Sequence, residues 1–358
     1  MIGKFRLSSA LVISLAIFSN AYGLPGESIV LDPNTGDYQI TYFGTGSPGN
    51  KKNKPLRQTI FVPATKINPV VWSTFRLSKG DVVDYKYRVK NGSSSRQSLI
   101  SFRIDPVSDI VSSSPLPKRR QDVAISELEQ FSKVSRAAIN IPRNWDGIVW
   151  ISESGGLRIS WGWNLLDSPD AGLIAGSSQE GFGFSSKDIP GIGIAQFEGN
   201  APVFGYPDAG PEGEISDQVE KLRQNDFVPR NAAVPTITVP DPFDPAILMG
   251  SIQTQMHTWI AMNLLDATFS AQLDRYFQSA ISAYRLNQPR VGKQEIQTMR
   301  ELIKKEQPDL GRDEEHESDK SHEKNDDRKS ALIDRLAARV LDFDLKYVTK
   351  RAAGDKDE

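Results

Sequence analysis

The chain has 358 residues, of which 38% are hydrophobic and 25% are charged, a composition typical of a globular protein with an ordinary apolar core. It contains no cysteine, which excludes disulfides, thiolate metal ligands, a cysteine nucleophile and a lipid-modified cysteine. The net formal charge of −2 provides no overall attraction to nucleic acid or to anionic lipid, and we expect no nucleic-acid partner.

The N-terminus has the pattern of an export signal. Two basic residues precede the apolar run 10–18, and small residues follow it. The run is shorter than the roughly 20 residues that a membrane-spanning helix requires. We therefore expect cleavage of residues 1–23 between Gly23 and Leu24, and a secreted or periplasmic mature chain with no membrane span. An exported chain without cysteine favours a protein of the bacterial cell envelope or extracellular space.

Alternation with a period of two dominates residues 28–206, which we expect to form one β-sandwich domain. Residues 85–91 alternate apolar with charged side chains, and residues 100–104 repeat the pattern after a polar turn, which predicts a hairpin. Residues 148–151 and 157–163 flank Ser-Gly-Gly and predict a second hairpin. Further strands are expected at Ser28–Leu31, Tyr38–Phe43, Thr59–Val62, Val70–Leu77, Gly181–Phe184 and Ile192–Glu198.

One of these segments resembles a known family. Tyr85-Lys-Tyr-Arg-Val-Lys-Asn91, followed by a polar turn and Gln97–Ile104, is similar to the Y-x-Y-x-V-x-N strand pair of immunoglobulin-like modules in bacterial secreted and surface proteins. The resemblance covers residues 81–104. It implies an antiparallel immunoglobulin-like sandwich with a structural or adhesive role, and it brings no catalytic residues with it.

Two segments are harder to assign. Residues 123–136 fit a short helix or a strand equally well. Seven prolines lie among polar residues between positions 207 and 245, so we expect residues 207–243 to form a proline-rich linker or surface strap.

The C-terminal part, residues 244–350, has the periodicity of helices. Asp244 and Pro245 predict an N-cap and a first helical residue, after which apolar faces recur through residue 306. Residues 311–329 are charged, with no aliphatic or aromatic side chain, which predicts a disordered insert. Ser330 is the expected cap of a last helix. These helices are expected either to form a separate docking or coiled-coil-like oligomerisation element, or to pack on the sandwich as one domain in which the strap covers a sheet edge.

The residues supply no motif for catalysis or metal binding. A zinc site needs three or four ligands at compatible spacing, whereas the chain has only His257, His316 and His322 and no cysteine. No G-x-S-x-G motif is present to support a serine nucleophile. We therefore expect no catalytic residues, no metal and no cofactor.

Carboxylates leave one enzymatic alternative open. A glycosidase needs only two carboxyl groups at a suitable separation, and sequence alone does not give that separation. The acidic residues near the aromatic strands are Asp146, Glu153, Asp167, Asp170, Glu180 and Asp188.

Four tryptophans fall within residues 145–163. Trp161 and Trp163 share one strand face and are the candidate ligand-binding residues, because exposed aromatic rings can stack on sugars. The alternative, which we favour, is that this face belongs to the core, since Leu157 and Ile159 lie on it too. Trp150 is expected to join its hairpin partner there.

The basic stretch Lys118-Arg119-Arg120 follows a proline-flanked loop. It is expected to be solvated, with proteolytic clipping or contact with an anionic polymer as the alternative.

These observations favour a non-enzymatic binding or structural protein of the cell envelope or extracellular space, with a polysaccharide or an envelope protein as partner. The alternative is a secreted hydrolase that acts on glycans through loop carboxylates.

Overall fold

The structure is a computed structural model that describes residues 25–44, 55–113, 116, 133–151, 156–164, 172–200, 210–223, 227–310 and 331–354. The chain divides into two compact units, one of residues 1–63 and 201–226 and the other of residues 64–200 and 227–358. The expected export signal and the expected disordered insert at 311–329 lie outside the described residues. Among the described residues, no helix is long and apolar enough to span a membrane.

The smaller unit contains a three-stranded antiparallel sheet and a helix. Its strands run in the order β1-β2-β3. One face of the sheet is apolar and packs with the helix in a small core of Ile40, Tyr42, Phe61, Ile215 and Val219. The elements are β1 (Ser28–Leu31), β2 (Tyr38–Phe43), β3 (Leu56–Phe61) and α1 (Glu214–Arg223).

These three strands confirm predicted elements but correct their domain assignment. The sequence predicts one sandwich over residues 28–206, whereas β1–β3 form a sheet of their own in a separate unit. The alternation of apolar and polar residues indicates that one face of a strand is buried, but it does not indicate which element covers that face. Here a helix covers that face instead of a second sheet.

The larger unit contains two antiparallel sheets, with strand orders β4-β5-β10-β7 and β12-β11-β6-β9-β8. Its strands are β4 (Pro69–Leu77), β5 (Val83–Asn91), β6 (Leu99–Val107), β7 (Ile139–Asn140), β8 (Trp145–Ile151), β9 (Leu157–Trp163), β10 (Ser178–Ser186), β11 (Ile189–Gly199) and β12 (Val228–Ile237).

Aromatic side chains join the two sheets face to face. Tyr87 of the first sheet lies edge-on to Phe102 of the second, with ring centroids 5.6 Å apart. Phe182 of the first sheet contacts Phe102 at 5.4 Å and Trp161 at 5.7 Å. The apolar face of each sheet is therefore buried against the other, as the predicted alternation requires.

The first predicted hairpin is wrong. β5 pairs with β4 and β10, while β6 pairs with β9 and β11, so the polar turn between them crosses from one sheet to the other. A hairpin and two strands in facing sheets produce the same alternation, because in both arrangements each strand turns its apolar side chains toward the opposite sheet.

The second predicted hairpin is confirmed. β8 and β9 pair antiparallel from Trp145 opposite Trp163 to Ile151 opposite Leu157. Trp150 lies opposite Arg158, on the face of the sheet that points away from the sandwich interior, and it therefore does not share the face of Trp161.

Residues 207–243 contain more regular structure than the sequence predicts. They include α1 and the ten-residue strand β12, which pairs with β11 at the edge of its sheet. Pro229 and Pro235 lie within β12. Prolines are tolerated on an edge strand because one side of that strand has no ladder partner. A proline count alone therefore does not exclude a strand.

Four helices follow, α2 (Pro245–Ala261), α3 (Ala267–Arg285), α4 (Pro289–Glu306) and α5 (Arg335–Ala352). The Asp244 carboxylate accepts from the backbone N–H groups of Ala246 and Ile247, as the predicted N-cap requires. Asp334 caps α5, whereas the expected cap Ser330 lies outside the described residues. Of the ambiguous segment 123–136, residues 133–136 are described, and they belong to a helix at 133–138.

The helices and the sandwich share one apolar core. It contains Trp161 and Phe197 from the strands together with Trp259, Phe277 and Val340 from α2, α3 and α5. The helices therefore pack on the sandwich, and residues 228–237 of the expected strap pair with β11 as an edge strand instead of covering a sheet edge.

Candidate functional site

A polar cleft lies at one end of the sandwich in the larger unit. Its volume is about 510 Å³, within the usual range for a small-ligand site. We call it the end cleft, and its lining residues are Arg136, Ile139, Asn140, Ile141, Pro142, Arg143, Asn144, Trp145 and Gly181.

A tight turn between β7 and β8 forms one wall of the end cleft. The backbone N–H of Trp145 donates to the Pro142 carbonyl over 3.2 Å, and Asn144 has a φ of 67°. Asparagine tolerates this left-handed conformation better than most residues do. The Asn144 carbonyl accepts from the Asn164 N–H at 2.9 Å, which ties the turn to the end of β9. Arg143 consequently stands exposed at the tip of the turn.

The two arginines of the end cleft differ in their pairing. Arg136 forms an ion pair with Asp146 of β8. For Arg143 the described part of the chain provides no ion-pair or hydrogen-bond partner. Within the described part of the chain, the cleft therefore presents one cation, Arg143, whose charge no neighbouring carboxylate compensates.

Asn140 connects the end cleft to the core. Its carbonyl accepts from the Trp161 indole N–H at 3.0 Å, and its side chain is exposed. Since Trp161 is fixed in the packed interior, this hydrogen bond holds the backbone of β7 in place. The cleft is thus built on a rigid base.

Trp161 and Trp163, the candidate ligand-binding residues, lie in different environments. Trp161 is 0% exposed and stacks on Phe102, with a centroid separation of 4.9 Å and an interplanar angle of 13°. It lies in the core and has no surface available to a ligand in this structure. Trp163 is half-buried and lies edge-on to Trp145 at 5.6 Å, so it adjoins a residue of the cleft.

Of the acidic candidates, the structure describes Asp146, Glu180 and Asp188. Asp146 is ion-paired with Arg136, and Glu180 lies 3.6 Å from Arg88. Glu180 and Asp188 lie near opposite ends of β10, about 20 Å apart along a strand. Glu153, Asp167 and Asp170 lie outside the described residues.

Asp188 is a buried structural carboxylate. It accepts from the Val239 N–H at 3.2 Å and from the Thr238 hydroxyl at 3.3 Å. Burial raises its pKa, and these hydrogen bonds oppose the shift. It thereby joins the β10–β11 turn to the segment that follows β12.

Asp344 of α5 is fully buried, and neither carboxylate oxygen has a hydrogen-bond partner among the residues that the structure describes. Burial raises its pKa well above the ordinary range. The nearby Tyr85 hydroxyl donates to the Asp188 carbonyl at 3.0 Å. The pKa of Tyr85 is also raised, mainly by burial, then by the neighbouring Tyr87, and to a smaller extent by the charges of Asp344 and Asp188.

No metal centre is found in the part of the chain that the structure describes, where no three His, Asp or Glu residues converge. His257 pairs with Asp274 at 2.7 Å between α2 and α3, in contact with the solvent. His316, His322 and the basic stretch Lys118-Arg119-Arg120 lie outside the described residues.

The sequence interpretation did not identify Arg136, Asn140, Arg143 or Asn144. A local signal was present, because Pro142-Arg-Asn144 is a turn pattern between two strands. That pattern does not reveal Gly181 of β10, which completes the cleft from a distant part of the sequence.

Neither a protein-family model nor a curated protein matches this chain.

Proposed function

We propose that this chain is an exported, non-enzymatic binding protein that holds an anionic ligand in the end cleft. The observation that carries the proposal is Arg143, which has no carboxylate partner among the described residues and lines the cleft together with Asn140 and Asn144. The described lining of the cleft includes no carboxylate. Hydrogen bonds to a charged group contribute about 1.5–3 kcal/mol each. Arginine also fits the planar geometry of a carboxylate.

The types of side chain in the end cleft favour binding over catalysis. The lining consists of arginine, asparagine, isoleucine, proline, tryptophan and glycine. None of these supplies a general acid or base near neutral pH, or a nucleophile. The cleft can therefore hold and orient a ligand, whereas bond cleavage would need groups that its lining lacks.

The strand order supports an immunoglobulin-like sandwich. The order β4-β5-β10-β7 matches the ABED sheet of that fold, and β12-β11-β6-β9-β8 matches the GFCC′C″ sheet of its variable form. The chain order departs from the variable form in two respects. β7, at the position of strand D, precedes β8 and β9, whereas strand D follows C′ and C″ in that form. β8, at the position of C″, also precedes β9, at the position of C′. Loops at the ends of such sandwiches commonly form binding sites, and the end cleft is built at one of these ends.

We place the ligand among carboxylated sugars, the charged components of extracellular and envelope polysaccharides. The amides of Asn140 and Asn144 can hydrogen-bond hydroxyl groups as donors and acceptors. Arg143 is the partner for the carboxylate. This ligand class agrees with the export signal expected from the sequence.

Replacing Arg143 with glutamine is expected to weaken the binding of a charged sugar. Loss of one charge-assisted contact lowers affinity by roughly 10-fold or more. The measurement is calorimetric titration of residues 24–358 with glucuronate, with glucose 6-phosphate and glucose as parallel probes. We expect glucuronate to bind and glucose to bind weakly. Comparable binding of glucose 6-phosphate would widen the ligand class from carboxylates to anionic groups in general.

Arg285→Gln serves as the matched control, because Arg285 is an exposed arginine of α3 outside the end cleft. It should bind glucuronate like the wild type. If Arg143→Gln also binds like the wild type, the end cleft is not the site. Release of reducing sugar from a polymer during the titrations would contradict the non-enzymatic assignment.

A further inference from the structure

A row of basic side chains follows β5 on the outer face of the first sheet of the sandwich. Lys86, Arg88 and Lys90 alternate with the buried residues Tyr87 and Val89, so all three point away from the core. We call these three residues the basic row. Successive members are separated by about 7 Å, and the row spans about 13 Å.

The basic row begins close to the end cleft. Asn140 of the cleft pairs with Gly183 of β10, and Gly183 pairs with Lys86. Residues opposite each other in neighbouring strands share a face, so Asn140 and Lys86 lie on the same outer surface, about 10 Å apart. Gly183 lies between them and has no side chain to block the path.

Among the described residues, the basic side chains on the face of the row outnumber the acidic ones. Arg76 of β4 lies on the same face, opposite Asp84, and Glu180 approaches Arg88 at 3.6 Å. Lys86 is exposed, and its side-chain ammonium group has no ion-pair or hydrogen-bond partner among the described residues. The described strands of this face thus carry four basic and two acidic side chains, the acidic ones being Asp84 and Glu180.

The geometry points to an extended partner. A single sugar acid held by Arg143 is too short to reach along the row, which spans about 13 Å. A linear chain with regularly repeated negative charges can occupy the cleft with one unit and place further charges beside Lys86, Arg88 and Lys90. Repeated contacts of this kind raise affinity through effective concentration without any new type of bond.

The face is poorly suited to single-stranded nucleic acid. Such binding uses bare aromatic rings as stacking platforms for successive bases. Trp72 lies opposite Arg88 on this face, and the Arg88 guanidinium covers its ring at 5.0 Å from the centroid. The chain's pI of about 6.1 also lacks the strongly basic balance of nucleic-acid-binding domains.

We infer that the end cleft and the basic row together bind a linear polysaccharide that carries carboxylates along its length. This inference rests on the proposed function and names the form of its ligand. The cleft supplies the specific contacts to one sugar acid. The row supplies salt-sensitive attraction to the units that follow.

The test compares a polymer with its own monomer. Residues 24–358 are titrated with galacturonate and with a galacturonate oligomer of about ten units, and with dextran and an oligothymidylate of similar length. We expect the oligomer to bind at least 10-fold more tightly than the monomer. The double variant Lys86→Gln/Lys90→Gln should lose most of this gain while its affinity for the monomer stays unchanged.

A charge-matched control is Lys293→Gln/Lys304→Gln, which removes two exposed lysines of α4. It should bind the oligomer like the wild type. The inference is overturned if the row variant keeps the full gain, or if the oligothymidylate binds more tightly than the oligomer. In either case, the proposed function stands if the monomer binds and this binding depends on Arg143. If the monomer does not bind, the proposed function and the inference about the polysaccharide are both wrong.

Discussion

Trp161→Ala is expected to lower the free energy of unfolding by about 3–5 kcal/mol, the usual cost of truncating a fully buried large aromatic side chain. Trp161 is 0% exposed, and its ring contacts Phe102 and Phe182 at 4.9 and 5.7 Å. The truncation also removes the indole donor to the Asn140 carbonyl, so the backbone under the end cleft loses a hydrogen bond. Urea denaturation followed by far-ultraviolet circular dichroism measures the change.

The matched comparison for this prediction is Trp163→Ala in the same strand. Trp163 is only half-buried, so its truncation should cost clearly less stability than that of Trp161. If the free energy of unfolding of Trp161→Ala lies within about 1 kcal/mol of the wild-type value, the assignment of Trp161 to the core is wrong. A ligand-contact role for Trp161 would then regain support.

Asp344→Val is expected to stabilise the protein at neutral pH by about 1–3 kcal/mol, the penalty of a buried polar group without hydrogen bonds. Asp344 is 0% exposed, and the described part of the chain offers neither of its carboxylate oxygens a hydrogen-bond partner. Valine has a similar size, and its helix propensity is close to that of aspartate. Burial in the core should therefore favour the substitution.

The pH dependence gives a second, independent readout at this position. Because burial raises the folded-state pKa of Asp344, the unfolded chain releases this proton first as the pH rises. The wild type accordingly loses stability from about pH 4, the ordinary pKa of aspartate, up to the raised folded-state pKa. Asp344→Asn lacks this titration, so its stability relative to the wild type should increase over the same pH range.

Thermal unfolding of the wild type, Asp344→Val and Asp344→Asn between pH 4 and 8 measures both effects. The other titrating groups are shared, so the difference between proteins isolates Asp344. Asp188 and Tyr85 are the titratable groups whose interactions link them to this region, and both remain in the variants. If the difference in stability between the variants and the wild type stays constant with pH, or if Asp344→Val is destabilised, Asp344 has hydrogen-bond or ion-pair partners in the folded protein.

The elements that the sequence predicted well are those determined by local pattern. The β8–β9 hairpin follows from alternation on both sides of a short turn, and the start of α2 follows from Asp244 and Pro245. Their partners are neighbours in the sequence. Local side-chain chemistry was therefore sufficient to identify them.

Predictions failed where the partner is distant in the sequence. β5 has the same pattern whether it pairs with β6 or packs against it from the other sheet. β12 was missed because its prolines are unfavourable in a central strand but acceptable at an edge. The end cleft was also missed, because Gly181, which lies far along the chain from the 141–144 turn and Arg136, completes its lining.

The most direct test of the end cleft is a nuclear magnetic resonance titration of the indole N–H signals. The chain has six tryptophans, of which Trp145 lines the cleft and Trp259 is buried in α2. On addition of glucuronate we expect the Trp145 signal to shift with saturation, the Trp259 signal to stay in place, and Arg143→Gln to abolish the shift. An unchanged Trp145 signal at saturating glucuronate, or an equal shift in Arg143→Gln, would contradict the assignment of the end cleft as the binding site.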